Sequence, residues 1–308
     1  VTEIKIGTRG SRLALIQTEM VIRRLQQELS AGSDLSFHPV TFTTRGEIFG
    51  SVPLSSIGGR GVFSGEIEEA LVARKVDLAV HSAKDLPSEV HPDTVLLAVI
   101  PREDPSDVLI MPKDRDSDIP EIIGTGSPRR EFLIKKIYPE AECRLLRGNV
   151  PTRLEKLRSG EYDAIILAEA GIKRLGLDRE ECFDYIKLPP DSFIPAGGQG
   201  IIALQVRRDH RLFTFLEKLV HRRTQTALDA ERLVLRKISA GCHEAAGVYA
   251  FSPDTPAEKS DKLMIKYFLF RDGRLFSDSI SGDPERYADL ADSLLKSYSD
   301  TTSPEERT

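Results

Sequence analysis

Short apolar runs alternate with helical patterns along most of the chain. Ile4 to Gly7 reads as a strand, Ser11 to Leu29 as a helix, Phe37 to Thr44 as a strand, Ser64 to Arg74 as a helix and Asp77 to Val80 as a strand. Such alternation predicts an α/β sheet with parallel strands. After Pro101 to Pro105 the theme restarts. Ile122 to Gly124, Glu142 to Leu146 and Tyr162 to Ala168 read as strands, with helices from Ser127 to about Ile137 and from Val150 to Arg158 between them. The loop Gly7 to Arg12 (G-T-R-G-S-R) is echoed by Gly124 to Arg129 (G-T-G-S-P-R), and Val76 to His81 by Tyr162 to Leu167. Two echoes in the same order predict two related lobes. Pro195 to Val206 reads as a glycine turn running into a strand that returns the chain to the first lobe, and a double crossing of this kind makes a hinged cleft.

From about Leu212 the pattern changes to a charged, amphipathic helical region from Thr226 to Ile238. Strand-like segments follow at Val248 to Phe251, Leu263 to Phe270 and Arg274 to Asp278, then a helix around Glu285 to Lys296. The expected fold is therefore α/β, with two lobes of mixed, mostly parallel sheets and a small α+β C-terminal domain. The expected domains are 1–98 with 199–215, 102–194, and 219–308. The last residues, Thr301 to Thr308, read as frayed.

Composition narrows the function. The 308 residues are 40% hydrophobic and 30% charged, without a long apolar run, so a soluble globular protein with no membrane span is expected. Val1 to Gly7 lacks a secretory signal pattern, which makes the cytoplasm the default. A net charge of −5 argues against nucleic acid as a general partner. Three cysteines, Cys143, Cys182 and Cys242, stand too far apart for a disulfide framework or a Cys-rich zinc site. No metal site is expected.

Polar chemistry gathers at the ends of the strands. In D-L-A-V-H-S-A-K-D-L-P (Asp77 to Pro87) an apolar strand gives way to His81, Ser82, Lys84 and Asp85. Ligands of open α/β sheets bind beyond the carboxyl ends of strands, which makes Asp85 beside Lys84 a candidate proton-transfer group. The alternative is a helix start capped by Ser82 with both charges on a solvated face. Ser11 and Ser127 sit where helices begin, and Arg9, Arg12, Arg129 and Arg130 add charge at the same tips. These loops suit a polyanion, although capped helices with solvated arginines have the same sequence. Arg147 and Arg153 bracket a further turn, R-G-N-V-P-T-R, whose helix Asn149 or Thr152 would cap. There is no Walker A or dinucleotide fingerprint, which favours carboxylates over a nucleotide as the ligand. Ser51 to Gly65, with Arg60 and Phe63, reads as a lid or as an ordinary surface loop. Cys242 and His243 follow a helix end; a lone cysteine there reads as a small buried hydrophobe.

Taken together in chain order, the motifs resemble one family. They are G-T-R-G-S-R-L-A from Gly7, T-R-G-E from Thr44, G-G-R-G-V-F from Gly58, H-S-A-K-D-L-P from His81 and R-E-D-P-S-D from Arg102. Then come G-T-G-S-P-R-R from Gly124, L-R-G-N-V-P-T-R-L from Leu146, Y-D-A-I-I-L-A from Tyr162, P-A-G-G-Q-G from Pro195 and Gly241-Cys242. This set is similar to the hydroxymethylbilane synthases, or porphobilinogen deaminases, from residue 4 to about residue 250. The resemblance implies two lobes like those of solute-binding proteins and a third domain. It implies a transferase that joins four porphobilinogen molecules head to tail with loss of ammonia, then releases hydroxymethylbilane with water. The chain would grow on a dipyrromethane cofactor held by a thioether to Cys242, which reverses the hydrophobe reading of that cysteine.

By the same resemblance Asp85 is the catalytic acid. Ser82, Lys84, Ser127, Arg129, Arg130, Arg147 and Arg153 hold the cofactor, and Arg9, Ser11, Phe63, Arg147, Arg153 and Gln199 meet the substrate. The implied setting is a cytoplasmic monomer that hands its product to uroporphyrinogen III synthase, with no nucleic acid or membrane partner. Glu47, Arg60, Gly126, Pro128 and Ala245 depart from the family's usual residues, and none of these removes a catalytic group. A binding module on the same bilobal fold would need neither Cys242 nor Asp85. A phosphate-ligand enzyme would lack its motif.

Overall fold

The computed structural model describes residues 2–29, 34–44, 64–115, 117–239, 244–253 and 262–301, with side chains to Tyr298. Glu47, Arg60, Phe63, Cys242, His243, most of the 51–65 segment and residues 302–308 lie outside the described residues. The chain packs as two compact units. Val1–Glu103 with Gly200–Leu228 form the first, and Asp104–Gln199 with Asp229–Thr308 form the second.

The first unit opens with β1 (Thr2–Arg9), α1 (Arg12–Glu28), β2 (Leu35–Phe42), α2 (Gly65–Val72), β3 (Leu78–Ser82), a short 3₁₀ turn (Ala83–Asp85) and β4 (Thr94–Leu97). Ile4 and Ile6 project from one face of β1 onto Val21, Ile22 and Leu25 of α1. On the same face Thr18 Oγ1 donates to Thr8 Oγ1 at 2.8 Å, so a hydroxyl pair closes the strand–helix packing near its polar end. On the other face, a Cβ at Gly7 would stand 3.0 Å from Ile67 Cγ2 of α2. The glycine permits that close approach.

The second unit continues with β5 (Asp107–Pro112), β6 (Ile122–Thr125), α3 (Pro128–Ile134), β7 (Glu142–Leu145), α4 (Val150–Arg158), β8 (Ala164–Ala168), α5 (Glu169–Leu175) and β9 (Phe183–Leu188). The chain then returns to the first unit through β10 (Ile202–Arg207), followed by α6 (Phe213–Lys218) and α7 (Arg222–Lys237). The two five-stranded sheets have one topology. Their orders are β2-β1-β3-β10-β4 and β7-β6-β8-β5-β9. β1 pairs in parallel with β2 and β3, as β6 does with β7 and β8. β10 runs antiparallel to β3 and β4, as β5 does to β8 and β9.

β4, β5 and β9 are absent from the sequence expectation. Each pairs antiparallel with a strand far away in the chain, which leaves no local signal of the pairing. β3 also runs two residues further than expected, through His81 and Ser82, because β10 pairs with it as far as Ile202 opposite Ser82.

A three-stranded antiparallel sheet completes the second unit, from β11 (Ala245–Phe251), β12 (Leu263–Arg271) and β13 (Arg274–Gly282), followed by α8 (Tyr287–Leu294) and α9 (Lys296–Thr301). Asp272 and Gly273 join β12 to β13 with φ of +51° and +74°. That is the two-residue hairpin turn which Asp-Gly favours. Ala245 and Phe268 pack into the same core as Leu133 and Ile134 of α3. No helix among the described residues is long and apolar enough to cross a membrane.

Candidate active site

In the first unit β1 delivers Arg9 and β3 delivers Ser82, one on each side of the start of α1. Ser11 caps that helix, its Oγ accepting from Ala14 N at 3.3 Å. Ser82 does not act as the expected cap: it makes no side-chain bond to the 3₁₀ turn that follows. Its hydroxyl instead donates to Gln17 Oε1 of α1 at 3.0 Å. The turn is only three residues long, and it brings Asp85 back over the strand end. There Asp85 Oδ2 lies 3.6 Å from Arg9 Nη1. At that length the contact is an ion pair without a tight hydrogen bond. The two side chains are 35% and 25% exposed, so the carboxylate is held yet reachable. Arg9, Ser11, Gln17, His81, Ser82 and Asp85 line one cavity. Lys84 is half-buried beside it.

His81 is fixed from behind. Gln205 Nε2 donates to Glu68 Oε1 at 2.6 Å and to Thr94 Oγ1 at 2.9 Å, leaving its Oε1 3.1 Å from His81 Nε2. Since a carboxylate only accepts, the amide faces Glu68 with its NH₂, and the imidazole donates from Nε2.

In the second unit Ser127 caps α3, its Oγ accepting from Arg130 N at 3.5 Å, with Pro128 at the first helical position as its sequence suggests. The expectation of exposed arginine tips fails here. Arg129 Nη2 donates to Asp107 Oδ2 at 2.7 Å, and Arg130 Nε and Nη2 donate to Asp107 Oδ1 at 3.0 and 2.8 Å. Arg129 and Arg130 also donate to the carbonyls of Ile194 and Ile166, each at 2.9 Å. Asp107 is fully buried at the start of β5, and it draws both guanidiniums inward. Burial pushes the Arg129 pKa below the usual arginine range, with Asp107 opposing the shift and Arg130 adding to it. Gln199 joins the cluster, donating from Nε2 to Asp107 Oδ1 at 3.0 Å and to Pro105 O at 2.6 Å. Two guanidiniums around one carboxylate leave one positive charge in surplus.

The turn after β7 keeps a cation accessible. Asn149, and not Thr152, caps α4, accepting from Thr152 N at 2.9 Å. Gly148 has φ +113°, and a Cβ there would stand 2.9 Å from Thr152 Cγ2. Arg153 Nε donates to Gly148 O at 2.7 Å, so it ties the turn together. Arg147 is half-buried, its Nε is buried without a hydrogen-bond partner, and burial lowers its pKa. Among the described residues no carboxylate pairs with it. A Cβ on Gly126 would lie 3.6 Å from its Cζ, which puts this guanidinium at the start of α3 beside the Ser127 cap.

The structure thus gathers Arg9, Ser11, Ser82, Lys84 and Asp85 within the first unit, and Arg147 with Ser127 within the second. Arg129, Arg130 and Gln199 form a buried cluster, and Arg153 braces a turn. Cys242 and Phe63 lie outside the described residues. The sequence reading singles out neither Asp107 nor Gln205. For Asp107 a signal exists: an acid heads the apolar run D-V-L-I-M-P.

Comparison with known proteins shows the family. Residues 4–214 match the family model described as porphobilinogen deaminase, dipyrromethane cofactor binding domain. The porphobilinogen deaminase of Roseiflexus castenholzii is 41% identical over 301 residues, 96% of each chain. That of Rickettsia typhi is 39% identical over 270 residues, covering 86% of this chain and 89% of its own. The probable porphobilinogen deaminase of Hyperthermus butylicus is 40% identical over 256 residues, covering 80% and 82%. Among solved structures, the extracellular-binding protein YtmK of a probable amino-acid ABC transporter from Bacillus subtilis superposes with a TM-score of 0.41 at 12% identity, covering 77% of this chain and 97% of its own. The chain belongs to the porphobilinogen deaminase family.

Proposed function

We propose that Asp85 is the acid–base group of this enzyme, and that the cations assembled above hold the carboxylates of its substrate and cofactor. The reaction is that of a hydroxymethylbilane synthase. Four porphobilinogen molecules are joined head to tail, one ammonia leaving with each, and water releases the linear hydroxymethylbilane.

The observation that carries the reading is the placement of Asp85 in a lined cavity at the carboxyl end of β3, with Arg9 3.6 Å away. Each pyrrole carries an acetate and a propionate. When ammonia leaves porphobilinogen, its methylene carbon becomes cationic, and the attacking pyrrole must then lose its α-proton. Asp85 Oδ atoms face the cation and take that proton, while Arg9 orients the carboxylate.

The residues present fit the dipyrromethane cofactor. A half-buried guanidinium with a buried, unpartnered Nε is costly unless an anion meets it, and Arg147 is such a group. The dipyrromethane supplies the pyrrole on which the product is built, tethered at Cys242. In the second unit Ser127, Arg147 and Arg153 would hold its carboxylates, with Arg129 and Arg130 contributing their surplus charge. In the first unit Ser82 and Lys84 serve the cofactor, and Arg9 and Ser11 meet substrate carboxylates. Phe63 and Gln199 complete the proposed substrate set. We retain the division into domains 1–98 with 199–215, 102–194 and 219–308. The separate three-stranded sheet supports the last of these. The proposed setting is a cytoplasmic monomer that passes its product to uroporphyrinogen III synthase.

Intact mass of the purified chain, with colour development by an aldehyde reagent for pyrroles, tests the reading. A mass increment of two pyrrole units that vanishes in Cys242→Ser is expected. An unmodified chain that forms no hydroxymethylbilane from porphobilinogen would overturn it.

A further inference from the structure

The cavity beside Asp85 has two polar groups in its wall that the chemistry proposed for it does not use. Gln17 stands in the second turn of α1 and Ser64 directly before α2, and each is only 3% exposed. Both line the cavity together with Arg9 and Asp85, which pair with each other. Gln17 Oε1 accepts from Ser82 Oγ at 3.0 Å, which leaves the two N–H donors of its Nε2. Among the described residues no hydrogen bond engages that nitrogen. A serine in the place of Ser64 ordinarily caps the helix that follows. Here φ and ψ are −137° and −13°, and the hydroxyl bonds neither to α2 nor to any other described residue. Both atoms keep some accessible surface, and in side chains buried this deeply that surface faces the cavity they line.

We propose that Gln17 and Ser64 form a further carboxylate subsite of this cavity, the amide and the hydroxyl donating to one side-chain carboxylate of the incoming porphobilinogen. The proposal rests on the reading of the cavity as the porphobilinogen site. Polar groups withdrawn from water are costly unless an acceptor meets them, and among the described residues neither donor has one. A carboxylate accepts at both of its oxygens and so takes the two donors at once. Each pyrrole carries two carboxylates, and Arg9 with Ser11 is left to meet the other. Neutral donors hold an anion less tightly than a guanidinium fork does. That suits a subsite that must empty between additions.

The test is steady-state kinetics of the cofactor-loaded chain with porphobilinogen, together with inhibition by two analogues, one with methyl in place of the acetate and one with ethyl in place of the propionate. Gln17→Leu and Ser64→Ala are each expected to raise KM about tenfold, the scale of one hydrogen bond to a charged group, with kcat within about twofold of the parent. Ser64→Thr, which keeps the hydroxyl, should stay closer to the parent than Ser64→Ala does. The analogue that lacks the carboxylate held here should bind these variants as it binds the parent, while the other analogue binds them more weakly. Should Gln17→Leu fail to fold, Ser64→Ala decides, since Ser64 has no cap bond to lose. An unchanged KM in both variants, or a loss equal for porphobilinogen and both analogues, would overturn the proposal. Arg9→Ala keeps the two readings apart. A raised KM there, with Gln17→Leu and Ser64→Ala at the parent's value, refutes this subsite alone; an unchanged KM in all three refutes the cavity as the porphobilinogen site.

Discussion

β1 leading into α1 and β6 leading into α3 are the same device built twice, and they have come to serve different ends. Each strand carries a glycine where a helix or a ring packs close: Gly7 against Ile67, and Gly124, whose Cβ would stand 2.8 Å from Tyr162. Each carries a threonine directly after that glycine, Thr8 and Thr125, and a serine shortly beyond it caps the helix. The difference lies on the neighbouring antiparallel strand. Opposite the last residue of β3 stands Ile202, and opposite the last residue of β8 stands Asp107. In the first unit Arg9 pairs with the partly exposed Asp85. In the second, the two arginines of the helix fold inward onto Asp107 and become core. The arginines also sit at different places, Arg9 at the end of the strand and Arg129 and Arg130 in the first turn of the helix, so the two loops differ both in where they carry charge and in what stands on the neighbouring strand. The acid after the third strand differs as well. Asp85 is left beside a cavity, whereas Glu169, after β8, pairs with Lys173 at 2.8 Å and Lys187 at 3.4 Å.

The comparison can be broken at several points. The largest effect is expected at Asp85. Asp85→Ala should lower turnover by roughly 10²–10⁴-fold, the range for loss of an acid–base group, with unchanged circular dichroism. Next is Asp107→Asn, which leaves two buried guanidiniums without their carboxylate; urea unfolding should show a loss of about 3–5 kcal/mol. Arg9→Ala removes a partly solvated pair and should change stability by less than about 1 kcal/mol, while raising KM for porphobilinogen. The smallest effect concerns pH. Burial pushes the His210 pKa below its usual 6.5, against the pull of Asp77 Oδ1 at 3.2 Å. As the pH falls below about 6.5 the unfolded chain binds the proton first, so stability declines on acidification. His210→Asn should make the drop in melting temperature between pH 7 and pH 5 shallower.

Much of this was legible in the residues. The period of the apolar runs places β1, β3, β6 and β8 because each is preceded or followed by an α-helix, and the caps Ser11, Ser127 and Asn149 are short-range features. The run at Asp85 stands out because polar groups abut a buried strand. What escaped is non-local. β4, β5 and β9 take their meaning from strands far away in sequence, and nothing near Arg129 or Arg130 reveals that Asp107, some 20 residues earlier, will turn them inward. The bond from Ser82 to Gln17 spans 65 residues and likewise has no local signature.

The two units share a scaffold, and the proposed function has them use their acids differently, Asp85 for chemistry and Asp107 for structure. The most direct test is to measure turnover per cofactor-loaded chain in Asp85→Asn, with its melting curve alongside that of Asp107→Asn. Asp85→Asn is expected to melt with the parent and barely turn over, while Asp107→Asn melts well below both. Near-parental turnover by Asp85→Asn would contradict it.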